Sequence, residues 1–383
     1  MVFAGLIFYH VGLLYGPWTS YFMKSAHQHE AVELVLLTTH PWRMSLLFLV
    51  SGAATRFIAD RRSPARLGWE RTLRLAPPLL LGFFLLIPAQ HYLTMLKVTP
   101  YDESLATYFK AFFASPDHTL LWRGGRFVLP VYGHLWFVLY LLTYTVALAA
   151  ALTVLRGRYG ALQRGVERLL SGPGLLIWPI AACVLLRATM YPQLGITLRY
   201  YDDAYNHVVS AGMFLIGFLT ARSETVWADM VRLRWPALAV TAAAYAGYAA
   251  LALRHGGVSE PIESAHPLMH GVYGAQQWAG IVAVLGFGRR WLTRGGPALS
   301  YLNQGVFTYY IVHQIALLAA LFWLAPLKLG PVWEPVLVTA FTLASCALAY
   351  EAARRIGWLA PFLGQRPQRR RQNAGRNLPA PAE

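Results

Sequence analysis

Ten apolar segments, each close to the length of a membrane-crossing helix, dominate this sequence. They lie at 2–22, 41–59, 75–91, 131–155, 174–190, 205–221, 236–253, 268–287, 299–324 and 332–353. A spanning helix needs about 20 predominantly apolar residues. None of the ten shows the sustained alternation of a strand, which argues against a transmembrane barrel. Charged residues make up only 13% of the chain, about half the share that a globular protein uses to coat its surface. The sequence therefore predicts an all-α fold, a polytopic membrane helical bundle with about ten transmembrane helices over residues 1–353. Cys183 and Cys346 both fall inside apolar segments, so no disulfide framework and no metal site is indicated.

The positive charges say how the bundle sits. The net charge is +16. Such a value in a soluble chain would suggest nucleic acid, but here the charges alternate with the loops. The connections 60–74, 156–173, 222–235 and 288–298, with the end 354–383, hold 22 of the 33 Lys and Arg residues. The other five connections hold 8, and Arg43, Arg56 and Arg187 lie within segments. Basic residues favour the cytoplasmic side. The expected topology is multi-pass with both termini cytoplasmic, a lipid bilayer as the partner and no nucleic acid. Residues 354–383, rich in Arg and Pro, read as a basic, disordered cytoplasmic tail near anionic headgroups. The first segment has no basic leader and no small-residue cleavage site, so it reads as an anchor rather than a signal peptide. No internal repeat is visible.

An ionisable side chain at membrane depth is costly and points to function. His10, in Leu6-Ile-Phe-Tyr-His10, lies about 13 Å along the first segment. His313, in Tyr309-Tyr310-Ile-Val-His313, lies about 15 Å deep when the apolar part of the ninth segment is counted from Asn303. Imidazole can act as a base near neutral pH; a histidine bonded to a neighbouring helix is the competing reading. Tyr309 and Tyr310 are spaced to share part of the face of His313. His134 and Trp136, in Gly133-His-Leu-Trp-Phe137, open the fourth segment, where His134 is either interfacial or a third site residue. Arg71 and Arg74 precede Pro77-Pro78, prolines that suit a helix start or a break buried in protein. Their spacing places both guanidiniums on one helical face, where they could grip phosphates or simply mark the positive-inside side. Two long loops, 92–130 and 191–204, mix tyrosines with carboxylates, as a sugar site or a membrane-interface belt would. The Ser51-Gly52 pair reads as helix packing. No nucleotide-binding loop, metalloprotease helix or hydrolase elbow is present.

Taken together, His10, Phe48-Leu-Val-Ser-Gly52, Arg71-x-x-Arg74, Gly133-His-Leu-Trp-Phe137 and Tyr310-Ile-Val-His-Gln314 resemble the membrane acyltransferase-3 family, most of all its periplasmic glucan-modifying branch. One element of that pattern, an arginine eleven positions before the first-helix histidine, would fall before Met1. The resemblance implies a ten-helix enzyme of the bacterial inner membrane. It implies transfer of an acyl group from a cytoplasmic donor, acyl-CoA as co-substrate with no tightly bound cofactor, to a hydroxyl of an extracytoplasmic carbohydrate or glycan. On this reading His10 and His313 are catalytic and Arg71 and Arg74 bind the donor. Tyr310, His134 and Trp136 meet the acceptor. Two other classes remain open to the sequence: a transporter or flippase for a polar lipid or glycan, and a non-catalytic assembly partner.

Overall fold

The computed structural model describes residues 2–18, 21–114, 119–122, 125–128, 132–155, 157–258 and 266–365. Leu- and Ala-rich runs form long helices because their side chains lose little freedom in a helix. The helices are α1 (Val2–Tyr15), α2 (Glu30–Leu37), α3 (Arg43–Ala59), α4 (Pro64–Leu81), α5 (Ile87–Val98), α6 (Leu105–Ala114), α7 (Trp136–Leu155), α8 (Gly160–Leu169) and α9 (Gly174–Thr189). After them come α10 (Tyr191–Leu194), α11 (Ala204–Thr220), α12 (Glu224–Arg232), α13 (Arg234–Arg254), α14 (Pro267–Trp291), α15 (Pro297–Leu324) and α16 (Gly330–Arg355). Within the long loop 92–130, Thr119–Trp122 (β1) and Gly125–Val128 (β2) pair as a short antiparallel hairpin. The other regular structure among the described residues is helical.

Each of the ten apolar segments coincides with a helix. Among the described residues, six helical stretches are long and apolar enough to cross a membrane, or seven if the bent pair α11–α12 counts as one span. The count of ten is therefore larger than length and composition support. Three segments miss for different reasons. Helix α3 has only 17 residues. Helix α14 buries His270, Gln276 and Gln277 in protein, so it has no need of a uniformly apolar surface.

The first segment differs most. It was expected to run through residue 22, but α1 stops at Tyr15. Pro17 cannot continue the hydrogen-bond ladder. A Cβ on Gly16 would sit 2.4 Å from Glu33 Oε1, so the chain turns against the buried Glu33, which accepts from Trp18 N at 3.0 Å. Lys24 Nζ donates to Leu13 O and Gly16 O at 2.7 and 2.5 Å, covering the helix end.

The third segment is longer than expected. Pro77 and Pro78 lie inside α4, which continues through a π-helical turn, Gly82–Leu86, into α5. They neither start nor break the helix. A π-turn takes up one extra residue and lets a helix pass a misfit in its ladder.

Helices α3 and α11 meet closely through glycine. A Cβ on Gly52 would lie 1.9 Å from Phe214 O, and one on Gly217 would lie 1.9 Å from Leu49 O. Both clashes are with backbone, which cannot swing aside. Gly52→Ala should therefore lower the thermal unfolding midpoint of the detergent-solubilised protein, at a cost of about 1–3 kcal/mol or more for overpacking. Gly212→Ala is the control: its Cβ would meet nothing within 4 Å. Equal midpoints for the two variants would refute the close-contact reading of Ser51-Gly52.

The Lys/Arg-rich connections converge at one end of the bundle. Asp60 pairs with Arg56 and Arg222 at 2.8 and 2.9 Å, Arg56 reaches Gln163, Asp229 accepts from Gly172 N, and Arg289 pairs with Glu224. Residues 356–365, expected in the tail, are folded: Thr308 Oγ1 donates to Leu363 O at 2.8 Å and Gln365 Nε2 to Gln304 O at 3.0 Å. Residues 366–383 lie outside the described residues.

Candidate active site

The two deep histidines meet. Helix α1 brings His10 and α15 brings His313, and His313 Nε2 lies 2.9 Å from His10 Nδ1. His313 is fully buried, whereas His10 is half-buried. The protons follow from the partners. His313 Nδ1 faces Tyr310 O at 2.7 Å and Tyr309 O at 3.2 Å. A carbonyl only accepts, so this nitrogen carries hydrogen and Nε2 keeps the lone pair. The shared bond holds one proton, which His10 Nδ1 must then donate. The lone pair of His10 is left on Nε2.

His134 joins this pair. Its ring lies 5.2 Å from that of His313, edge to face. His134 Nε2 donates to Ile311 O at 3.1 Å, while its buried Nδ1 has no hydrogen-bond partner among the described residues. The hydroxyl of Tyr310 donates to His134 O. His134 is thus built into the core rather than lying at the interface. Among the described residues no group of three or more His, Cys, Asp or Glu side chains is arranged to hold a metal ion.

A cavity of about 620 Å³ opens at this cluster, and His10, His134, Trp136 and Tyr310 line it. His313 stands behind His10, touching it from the protein side. Tyr21, on the stretch that follows α1, stacks on His10 at 6.2 Å and 17°. Several polar atoms at the cavity are buried without a hydrogen-bond partner among the described residues: Tyr21 OH, Gln277 Oε1, Gln314 Oε1 and His134 Nδ1. Orphaned donors and acceptors around a cavity are what a polar ligand would satisfy. Sequence reasoning did not single out Tyr21, His40, Arg43, Asn206 or Gln277, and it had Gln314 only as the last residue of the Tyr310-Ile-Val-His-Gln314 motif. Arg43 alone had a signal, as an ionisable residue within an apolar segment.

Arg71 and Arg74 lie elsewhere. Arg71 Nη2 donates to Thr55 Oγ1 of α3 at 3.2 Å, and Thr55 is twelve residues, about 18 Å, along that helix from Arg43. Arg74 lines a second cavity, also of about 620 Å³, with Ser300, Asn303, Gln304, Arg354 and Gln365. Helix α15 borders both cavities, and Asn303 and His313 are about 15 Å apart along it.

The tyrosine-rich loop 191–204 closes one side of the first cavity through Ile196 and Leu198. Its carboxylate Asp203 is buried and used internally, accepting from Tyr140 OH, Asn206 Nδ2 and Thr197 N at 2.6, 2.8 and 3.0 Å. In loop 92–130, Asp117 and His118 lie outside the described residues. Tyr92, Tyr101 and Tyr108 pack on one another.

A family model described as an acyltransferase domain, that of the acyltransferase-3 family, matches residues 2–351. No curated protein and no solved structure matches the chain. The matched range holds both histidines, the whole lining of the cavity beside them and nearly every helix, which decides for a transferase over a transporter: the chain belongs to the acyltransferase-3 family and is a multi-pass membrane acyltransferase that brings together an acyl donor, an acceptor and the bilayer.

Proposed function

We propose that this enzyme takes an acyl group from acyl-CoA at the cytoplasmic face and transfers it to a hydroxyl of an extracytoplasmic carbohydrate or glycan, in a bacterial inner membrane. The observation that carries this reading is the pairing of His10 with His313 beside one cavity, while Arg74 lines another about 15 Å away along the same helix. The charge alternation supports a cytoplasmic location for the arginine end. There Arg71 and Arg74 hold the donor's phosphates, and its thioester arm extends to the histidines. The orphaned polar atoms at the other cavity, with Trp136, His134 and Tyr310, suit a polyhydroxylated acceptor, and a glucan of the periplasm fits the branch that the sequence resembles.

In the transfer step, Nε2 of His10 accepts the proton of the acceptor hydroxyl as its oxygen attacks the acyl carbon. The tetrahedral intermediate collapses, the C–S bond breaks, and the departing thiolate takes the proton back from His10. An ester and free CoA result.

The test uses purified protein in lipid nanodiscs, given acyl-CoA and a glucan. The acceptor should gain one acyl mass as free thiol appears in equal amount. Arg74→Ala should weaken acyl-CoA binding by about tenfold or more, since a hydrogen bond to a charged group contributes about 1.5–3 kcal/mol. Arg74→Lys should recover part of it, because an ammonium cannot form the bidentate fork. Thiol release with no acylated product, or unchanged donor affinity in Arg74→Ala, would overturn this assignment.

A further inference from the structure

The cavity at the histidine pair carries positive charge and no matching carboxylate. Among the described residues no Asp or Glu lines it, yet Arg43 does. The Arg43 guanidinium lies 3.3 Å over the Tyr9 ring. Its Nη1 reaches His40 O at 3.4 Å, a long bond. Its Nε is buried without a hydrogen-bond partner, and no ion pair to Arg43 occurs among the described residues. The Tyr9 ring is 5.8 Å from that of His10, so the guanidinium is at most about 9 Å from the His10 ring. A second guanidinium, that of Arg187, lies 3.5 Å over Tyr273, another wall residue.

An aromatic face attracts a cation but does not neutralise it. A charge held at a cavity wall with one weak carbonyl contact keeps donors free for an anion. We propose that Arg43 makes this cavity a receptor for an anionic group, a carboxylate or a phosphate, carried by one of the two substrates. The proposal rests on the cavity being the transfer site. Arg43 opens α3 at the end opposite Thr55 and Arg71, so it lies far from the site assigned to the donor's phosphates. The anion is therefore either the far end of a dicarboxylic acyl chain that has passed the histidines or a charged substituent on the acceptor sugar. An arginine that served only the oxyanion of the intermediate would treat charged and neutral substrates alike.

Binding to the full-length protein in nanodiscs, followed by calorimetry, separates these cases. Two probe pairs are used: succinyl-CoA against butyryl-CoA, and glucose 6-phosphate against glucose. Wild type should bind the charged member of one pair at least about tenfold more tightly than its neutral partner, the size of effect expected from one charge-assisted contact. Arg43→Gln should erase that preference and leave the neutral partner's affinity unchanged. The responding pair identifies the source of the anion. Absence of a charge preference in wild type for both pairs overturns the proposal, and so does a preference that survives in Arg43→Gln. If the variant fails to fold, the wild-type comparison alone decides. Because the readout is binding, failure of the base assignment to His10 would leave this result standing.

Discussion

His10→Ala is expected to lower acyl transfer by about 10²- to 10⁴-fold, the usual cost of losing a general base. Expression and acyl-CoA binding should persist, because the arginine end of the bundle is untouched. A hydroxyl is a poor nucleophile unless its proton leaves as it attacks. His10 Nδ1 is committed to His313, so Nε2 is the nitrogen that can take that proton. His10→Gln should fail nearly as badly. Its amide can still donate to His313 Nε2 and hold the helix contact, but it cannot act as a base. A purely structural histidine predicts the reverse, with Gln close to wild type. Transfer rates at matched membrane levels decide, and near-normal transfer in His10→Gln would sink the assignment.

The helices were legible because a membrane demands long apolar runs with every backbone group paired internally. The meeting of His10 and His313 was legible in part, since both residues lie at similar depths on their segments. What the sequence concealed lies where tertiary contacts override local pattern. Segment 2–22 reads as one span, yet Gly16-Pro17 turns against Glu33, and the turn carries Tyr21 over His10. No periodicity encodes that return. Pro77 and Pro78 look like a boundary, but the π-turn that follows lets the helix run on. Gln276 and Gln277 make α14 look polar for a membrane segment. Their amides bond Leu37 O and Ser45 Oγ at 2.9 Å each, contacts formed only once α14 lies beside α2 and α3.

Arg43 shows a different limit. The rule that flagged His10 applies equally to any charge within an apolar segment, and Arg43 is one. It lies two residues inside the start of segment 41–59, and the charge count sets it apart from the loops without giving it a role. Only the folded structure shows that it sits against Tyr9, next to the catalytic candidate in sequence. The arginines 71 and 74 present the converse. Spacing placed them on one helical face, but neither lines the histidine cavity. A site for a long donor can be divided along a helix, and sequence spacing within one turn cannot report a separation of about 15 Å.

His313 should prove a positioning residue, and its variants should order differently from those of His10. Its Nδ1–H is held by the carbonyls of Tyr310 and Tyr309, and its Nε2 accepts from His10. It therefore fixes the His10 tautomer, as the buried aspartate of a serine-protease triad does for its histidine. His313→Leu removes the acceptor. The ring of His10 can then turn or place its proton on Nε2, and a wrong tautomer costs about 10⁴-fold in that triad. A loss of about 10²- to 10⁴-fold in kcat is expected here, with the acceptor KM little changed. Glutamine can reproduce both bonds, its Nε2 donating to the Tyr310 carbonyl and its Oε1 accepting from His10 Nδ1. His313→Gln should therefore keep a substantial part of the rate, while His10→Gln does not. The contrast between the two glutamine variants is the measurement. If both die equally, His313 exchanges protons itself and the relay spans both rings; if His313→Gln dies and His10→Gln survives, the base is His313.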